Sequence, residues 1–367
     1  MRHSSQLLIS FPHLAENIKF IQNLCPTSAL LPMVKANAYG HGLLPISKFL
    51  SHEMKIKQLG VASLGEAMAI IKDEPALPSR IYVFSDSEIL DPDYSKIYLN
   101  HDIVPVLHQI TDVKRVVEDR SFQRVPLVVK LNTGMNRLGI DKEEWSQLAS
   151  LLKKNNRIEI DHLMTHFACA DIKLKEGDRT HRQYEMFKEA KAFLETEGIV
   201  VKTTSVANSG AIEQKFGIEE SFVRPGIMMY GGTKNSLHTI SKLQAKVLKI
   251  REVKKGTPVG YGNFVAGDDG LVVILPIGYG DGVLTSYSGC KLTVNGQACQ
   301  LFARVNMDLT YLFFKRENDP KIKVGDVIDL WNSDPHSIVE TADQMKTISY
   351  QLFCAVSSRI PRNYSVL

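Results

Sequence analysis

Leu31-Pro32-Met33-Val34-Lys35-Ala36-Asn37-Ala38-Tyr39-Gly40-His41-Gly42 reads as a short apolar strand that ends on a lysine and runs into a glycine-punctuated turn. An amine held against apolar walls loses the hydration of its charged form. Its pKa falls, and the neutral, nucleophilic amine becomes available for Schiff-base chemistry with a carbonyl. Taken alone, a lysine after a strand is most often a solvated head group. The rest of the chain decides between the two readings.

Counting 31–34 as the first, comparable apolar runs follow at 58–63, 80–84, 103–107, 126–131, 160–166, 203–207 and 222–230. Segments 11–22, 65–72, 142–153 and 182–196 carry apolar residues at helical spacing between or before these runs. Strands alternating with helices make a parallel sheet covered by helices, and about eight strands predict a closed TIM-type (β/α)₈ barrel, an α/β fold, over residues 1–235. After Gly231-Gly232 the pattern changes to short β-rich runs at 243–253, 270–277, 290–294, 300–304, 309–314 and 327–330. These predict a C-terminal, mostly-β domain over 236–367, with a two-residue hairpin turn at Asn295-Gly296.

A chain of 367 residues has room for a barrel and a smaller domain. Lys+Arg 44 against Asp+Glu 40 gives a net charge of +4 without a dense basic run, which disfavours a nucleic-acid partner. Cys25, Cys169, Cys290, Cys299 and Cys354 are scattered, odd in number and lack a Cys-x-x-Cys pair, as expected of a reduced, intracellular protein. Leu7-Leu8-Ile9 is too short for a signal peptide's apolar core, and no stretch is long enough to span a bilayer. The expectation is a cytoplasmic protein with a small-molecule substrate and no membrane partner.

In a (β/α)₈ barrel the C-terminal ends of the strands converge, so residues far apart in sequence meet there. Reading this chain that way collects Lys35 and Tyr39 after the first strand, Arg137 after the fifth and His166 at the end of the sixth. It adds Ser209 after the seventh and Arg224 with Gly226 in the eighth. The set suits an anionic cofactor. Asn208-Ser209-Gly210 and Arg224-Pro225-Gly226-Ile227 fall where barrels commonly place a phosphate site. His162 and His166 look like a metal pair, but four residues along a strand span roughly 13 Å, so no metal site is expected.

Val34-Lys35-Ala36-Asn37-Ala38-Tyr39-Gly40-His41-Gly42 closely resembles the cofactor-lysine motif of alanine racemases that use pyridoxal 5'-phosphate (PLP). The resemblance extends through Lys130-Leu131-Asn132-Thr133-Gly134-Met135-Asn136-Arg137-Leu138-Gly139, Thr165-His166-Phe167-Ala168, Asn208-Ser209-Gly210 and Arg224-Pro225-Gly226-Ile227. It continues in Val259-Gly260-Tyr261-Gly262, 276–282, 303–308, 324–326, 347–350 and 359–362, and so covers nearly the full chain.

By that resemblance Lys35 carries PLP, and Ser209, Gly226, Ile227 and Tyr350 bind its phosphate, with Tyr39 also at the cofactor. Arg224 faces the pyridine nitrogen, His166 lies between Arg224 and a catalytic tyrosine, Tyr261, and Arg137 and the Met307 backbone N–H take the substrate carboxylate. An arginine at the ring nitrogen keeps its proton, so the ring stays a weaker electron sink and side reactions are restrained. The family lysine matching Lys130 is often carbamylated, but Asn132 replaces the more common aspartate here. Gly260, Asn306 and Ser205 stand where serine, cysteine and histidine are frequent.

The implied activity is racemisation of alanine, supplying D-alanine for peptidoglycan. Lys35 serves the D face of Cα and Tyr261 the L face, with Tyr261 arriving from the partner in a head-to-tail homodimer. Serine or broad-specificity racemases are the neighbouring reading, against which the bulk of Tyr350 argues. Decarboxylases of the same fold put a carboxylate where this chain has Arg224, and non-catalytic PLP carriers end where this barrel ends.

Overall fold

The computed structural model describes residues 4–365, which divide into two compact units. One comprises residues 18–38 and 43–226; the other comprises, among the described residues, 4–17, 39–42 and 227–365.

The first unit is the barrel. Its strands are Ala29–Leu30, Gln58–Ser63, Arg80–Asp86, Ile103–Leu107, Val128–Lys130, His162–Met164, Thr204–Asn208 and Phe222–Arg224, each parallel to its neighbours and arranged in chain order around the sheet. Past Leu30 the first strand stays extended. Leu31 N–H donates to the Val223 carbonyl (2.9 Å) and Met33 N–H to the Pro225 carbonyl (2.8 Å). Closure onto the second strand rests on Val34 N–H to Gly60 O and Gly60 N–H to Pro32 O, each 2.8 Å. A Cβ on Gly60 would lie 2.6 Å from Met33 Sδ and 2.9 Å from Phe84 Cε2, so the side chains of the neighbouring strands fill the space above this glycine.

Helices Leu64–Asp73, Trp145–Lys154 and Arg179–Thr196 fall where periodicity predicts them. The run expected at 243–253 is two strands, Ser241–Lys246 and Lys249–Val253, in separate sheets, and two barrel-strand assignments also need correction. The eighth strand does not reach residue 230: it stops at Arg224, because Pro225 has no N–H to continue a ladder, and Ile227–Tyr230 is helical. Ile160 pairs outside the barrel, in the short strand Glu159–Ile160 against Val200–Val201, and His162 starts the sixth barrel strand.

The second unit has two sheets. Lys249–Val253, Gly270–Leu275, Thr310–Lys315, Gln297–Phe302 and Lys291–Val294 form an antiparallel five-stranded sheet. Asn295 (φ 50°) and Gly296 (φ 75°) make its expected tight turn. The other sheet has the order Val327–Trp331, Ser241–Lys246, Ser5–Ser10, Arg362–Ser365. Its third strand alternates buried and half-buried residues, so the apolar residues at 7 and 9 are core of this unit, although their place in the sequence groups them with the barrel. Among the described residues no helix is long and apolar enough to cross a membrane.

Candidate active site

The lysine-bearing strand runs into a left-handed turn. Ala36, Asn37, Ala38 and Tyr39 have φ of 52°, 55°, 52° and 52°. Left-handed helical geometry costs an L-residue roughly 1–2 kcal/mol, so four in succession must be held from outside. Glu66 Oε1 accepts from Ala36 N–H (2.6 Å) while its Oε2 accepts from Ala62 N–H (2.8 Å), and Asn37 Oδ1 accepts from Leu43 N–H (2.8 Å). Lys35 is half-buried at the start of this turn. Glu66 escapes a reading of sequence alone. Ser63-Leu64-Gly65-Glu66 has the spacing of a helix capping box, and Ser63 does cap the helix, but the glutamate reaches across to the lysine turn instead of closing the box.

At this face of the barrel three cations, Arg137, Arg224 and Lys35, act on a fourth, Lys130. Lys130 is 6 % exposed, and its pKa is lowered to about 8 by burial first and then by Arg137, Arg224 and Lys35. His166 is driven well below the ordinary imidazole range by burial and by Arg224, Lys130, Arg137 and Lys35, so it is neutral at physiological pH. Gln183 Nε2 donates to its backbone carbonyl (3.0 Å), and Asn208 Nδ2 lies 3.5 Å from its ring Nε2. Arg137 is exposed on the loop that joins Leu131 to Ile140. Asn132 folds that loop: Gly134 N–H and Asn136 N–H donate to its Oδ1, while its Nδ2 donates to Asn136 Oδ1 and Asp141 Oδ1.

Arg224 is 3 % exposed and lies among oxygen acceptors without a carboxylate; burial lowers its pKa to about 10. Nη1 donates to Ser205 Oγ, and Nη2 donates to the Thr165 carbonyl (2.5 Å) and the Val206 carbonyl (3.2 Å). These bonds use three of the five guanidinium N–H groups, so Nε–H and the second Nη1–H are the donors left for a ligand. Nearby, Ser209 Oγ accepts from Gly226 N–H (2.9 Å), which joins the turns that end the seventh and eighth strands. Asn208 caps the helix Ser209–Glu213 and donates to the Phe167 carbonyl (3.1 Å). The two barrel histidines do not form a metal pair: His162 Nδ1 meets Thr203 Oγ1 and Nε2 meets Ser205 Oγ, each at 2.8 Å.

The remaining predicted residues lie in the second unit. Tyr39 is buried, stacks on Tyr230 (4.8 Å between ring centroids) and lies 5.8 Å from the Tyr350 ring; burial, then Tyr350 and Cys354, raise its pKa. Arg362 holds the 39–42 segment by donating from Nε to the Gly40 carbonyl (2.8 Å). Ile227 packs over Gly232, where a Cβ would come within 2.5 Å of its Cδ1.

Tyr261 is 68 % exposed on a loop between Pro258 and Val265, flanked by Gly260 at φ 66° and Gly262 at φ 86°. With Gly260 in the left-handed region, glycine is the residue this turn tolerates best, so the departure from the usual serine matches the local backbone. Met307 is 54 % exposed. Arg359 donates to Asp308 Oδ1 (2.7 Å) and pairs with Asp281 (3.3 Å), joining the 276–282 and 303–308 segments.

A barrel with a cationic, lysine-bearing strand-end face and a separate β unit is the architecture of a barrel-type PLP enzyme. The family model described as alanine racemase, N-terminal domain, matches residues 9–234, and the model for the C-terminal domain matches 240–364. The alanine racemase of Vesicomyosocius okutanii is 31 % identical over 96 % of this chain and 96 % of its own. That of Chlorobaculum tepidum is 30 % identical over 98 % and 94 %. The solved alanine racemase of Acinetobacter baumannii superposes with a TM-score of 0.82 at 26 % identity, covering 99 % of this chain and 100 % of that one. The chain belongs to the alanine racemase family, whose members are PLP-dependent isomerases.

Proposed function

We propose that the protein interconverts L- and D-alanine with PLP joined to Lys35, so providing D-alanine for peptidoglycan. The observation that carries the proposal is the set of cations at the strand-end face, of which Lys130 and Arg224 are buried. Lys130, Arg137, Arg224 and Lys35 all act on His166, and no carboxylate is among the groups shifting it or Lys130. A site with that excess of positive charge fits an anionic cofactor and a substrate carboxylate. Ser209, Gly226, Ile227 and Tyr350 would hold the phosphate, Tyr39 and His166 the ring environment, and Arg224 Nε the pyridine nitrogen.

PLP, when bound, withdraws electrons from Cα and so makes its hydrogen acidic. Racemisation requires a proton taken from one face of Cα and returned on the other. Lys35 holds the proton on the D face, and the Tyr261 phenol on the L face. Arg137 and the Met307 N–H orient the carboxylate so that Cα presents both faces. Arg224 carries no base of its own and leaves the ring nitrogen unprotonated, which restrains the electron sink and favours proton exchange over transamination. Tyr261, exposed in the single chain, is delivered to the partner's barrel in a head-to-tail dimer.

Purified protein reduced with borohydride is expected to carry the pyridoxyl group on the peptide containing Lys35, and fresh protein to racemise alanine well ahead of serine, leucine and lysine. A pyridoxyl group on another lysine, or alanine as a minor substrate, would overturn the reading.

A further inference from the structure

Arg224 is held by a chain of hydrogen bonds that crosses three barrel strands and has one permitted direction. At its far end Thr203 Oγ1 lies 2.6 Å from the Asp161 carbonyl, and a carbonyl only accepts, so the Thr203 hydroxyl donates there. Its proton spent, Thr203 Oγ1 faces His162 Nδ1 (2.8 Å) as an acceptor, which puts the imidazole hydrogen on Nδ1. A neutral ring protonated at Nδ1 has a bare Nε2. Ser205 Oγ, 2.8 Å from that nitrogen, donates to it, and its lone pairs are then left for Arg224, which has only donors.

Three further observations fix the ring as neutral and immobile. His162 is 2 % exposed, and burial first, then the charge of Arg224, lowers its pKa to about 3. Phe222 and Tyr82 close on it edge to face at centroid distances of 5.2 and 6.4 Å. Ser205, at the centre of the chain, has no exposed surface. Bulk solvent therefore does not reach the centre of the chain, and a chain polarised in one sense is stronger than its separate bonds.

We propose that His162, locked as the Nδ1–H tautomer by Thr203, is a positioning residue that acts through Ser205 to aim Arg224 Nε at the cofactor ring. Thr203, Ser205 and His162 touch neither cofactor nor substrate in this scheme. Their effect is on where the guanidinium points and on its donor strength. The inference rests on the proposed PLP-dependent racemisation for what Arg224 acts upon, but the tautomer belongs to the protein itself.

Two measurements on the PLP-loaded enzyme test it. Nitrogen NMR of isotope-labelled histidine, with His162 assigned by its loss in His162→Phe, is expected to show Nδ1 protonated and Nε2 bare. In Thr203→Val the acceptor at Nδ1 is gone and the proton should move to Nε2, so that Ser205 must serve two donors. Ser205→Ala and Thr203→Val are each expected to lower kcat about tenfold, the lower end of what one hydrogen bond to a charged group carries, with KM changed by less than about twofold. Ser205→Thr, which keeps the hydroxyl, should restore kcat.

Protonated Nε2 in the unsubstituted protein would overturn the proposal whatever the activity. So would unchanged kcat in both folded, PLP-loaded variants, or failure of threonine to rescue. A protein that shows the expected tautomer and binds PLP on Lys35, yet does not racemise alanine, would instead overturn the assigned reaction and leave the hydrogen-bond chain standing.

Discussion

The barrel and the β unit contribute to the same proposed reaction in opposite ways. On the barrel, Lys130 and Arg224 are 6 % and 3 % exposed, and Arg224 is tied to Ser205, Thr165 and Val206. On the β unit, Tyr261 and Met307 are 68 % and 54 % exposed, and the tyrosine stands on a loop between two glycines of positive φ. The first set is built when one chain folds, at the cost of burying like charges together. The second set costs its own chain little and awaits a surface to meet. Such a division means that substitutions in the barrel should change stability and chemistry together, and those on the β loop should change chemistry alone.

The largest expected effect separates those two cases. Tyr261→Phe should slow Cα exchange from L-alanine by about 10²–10⁴-fold, the usual worth of a positioned acid–base group. Its melting temperature should hardly move, because exposed substitutions away from special contacts stay within about 0.5 kcal/mol. Mixing this variant with inactive Lys35→Ala sharpens the test. In a mixed dimer built head to tail, one site carries both lesions and the other neither, so random pairing should return roughly a quarter of full activity. Verified heterodimers without activity would place Tyr261 in its own chain's site or outside any.

A smaller effect is expected at Arg224. Arg224→Glu puts a carboxylate where Nε is available, lets a ring nitrogen there hold a proton and strengthens the electron sink. Racemisation should fall by roughly a hundredfold, about two orders for a charged donor lost. A slow transamination, seen as pyruvate from alanine, should appear, and the melting temperature should drop, as Tyr261→Phe should not do. Unchanged product composition would mean that Arg224 does not face the ring nitrogen.

Much of the barrel half was legible because its residues sit at strand ends, and strand ends follow from apolar runs in a short list of topologies. Lys35, His166, Ser209 and Arg224 come out of that rule before any coordinates. The supports were not legible. Glu66 looks like half of a capping box, and only the folded geometry brings its second oxygen to Ala36. His162 invites a metal reading, and its real partners, Thr203 and Ser205, depend on the register of two parallel strands that no local pattern specifies. The N-terminal strand was misgrouped for a similar reason: its partners, Ser241–Lys246 and Arg362–Ser365, lie more than two hundred residues downstream. Pro225, by contrast, carried the end of the eighth strand in plain view, since a residue without N–H cannot extend a ladder.

The smallest effect tests the statement that the barrel half is folded against its own charge. Lys130 has a folded pKa of about 8 against an ordinary 10.5, chiefly from burial and then from Arg137, Arg224 and Lys35. Below pH 8 it is charged in both states and its full penalty is present. Between 8 and 10.5 the unfolded chain holds more protons than the folded one, so stability rises with pH; above 10.5 the penalty is gone. Lys130→Met, similar in length and without charge, should therefore stabilise cofactor-free protein at pH 7 by up to about 3 kcal/mol, less whatever solvent relaxation recovers. The gain over the unsubstituted protein should shrink as pH climbs through that window. Urea melts of the two proteins at pH 7 and at pH 10 decide the matter. An equal difference at both values would show that the amine is not desolvated by its neighbours, and the contrast between a strained barrel half and an unstrained β loop would lose its electrostatic basis.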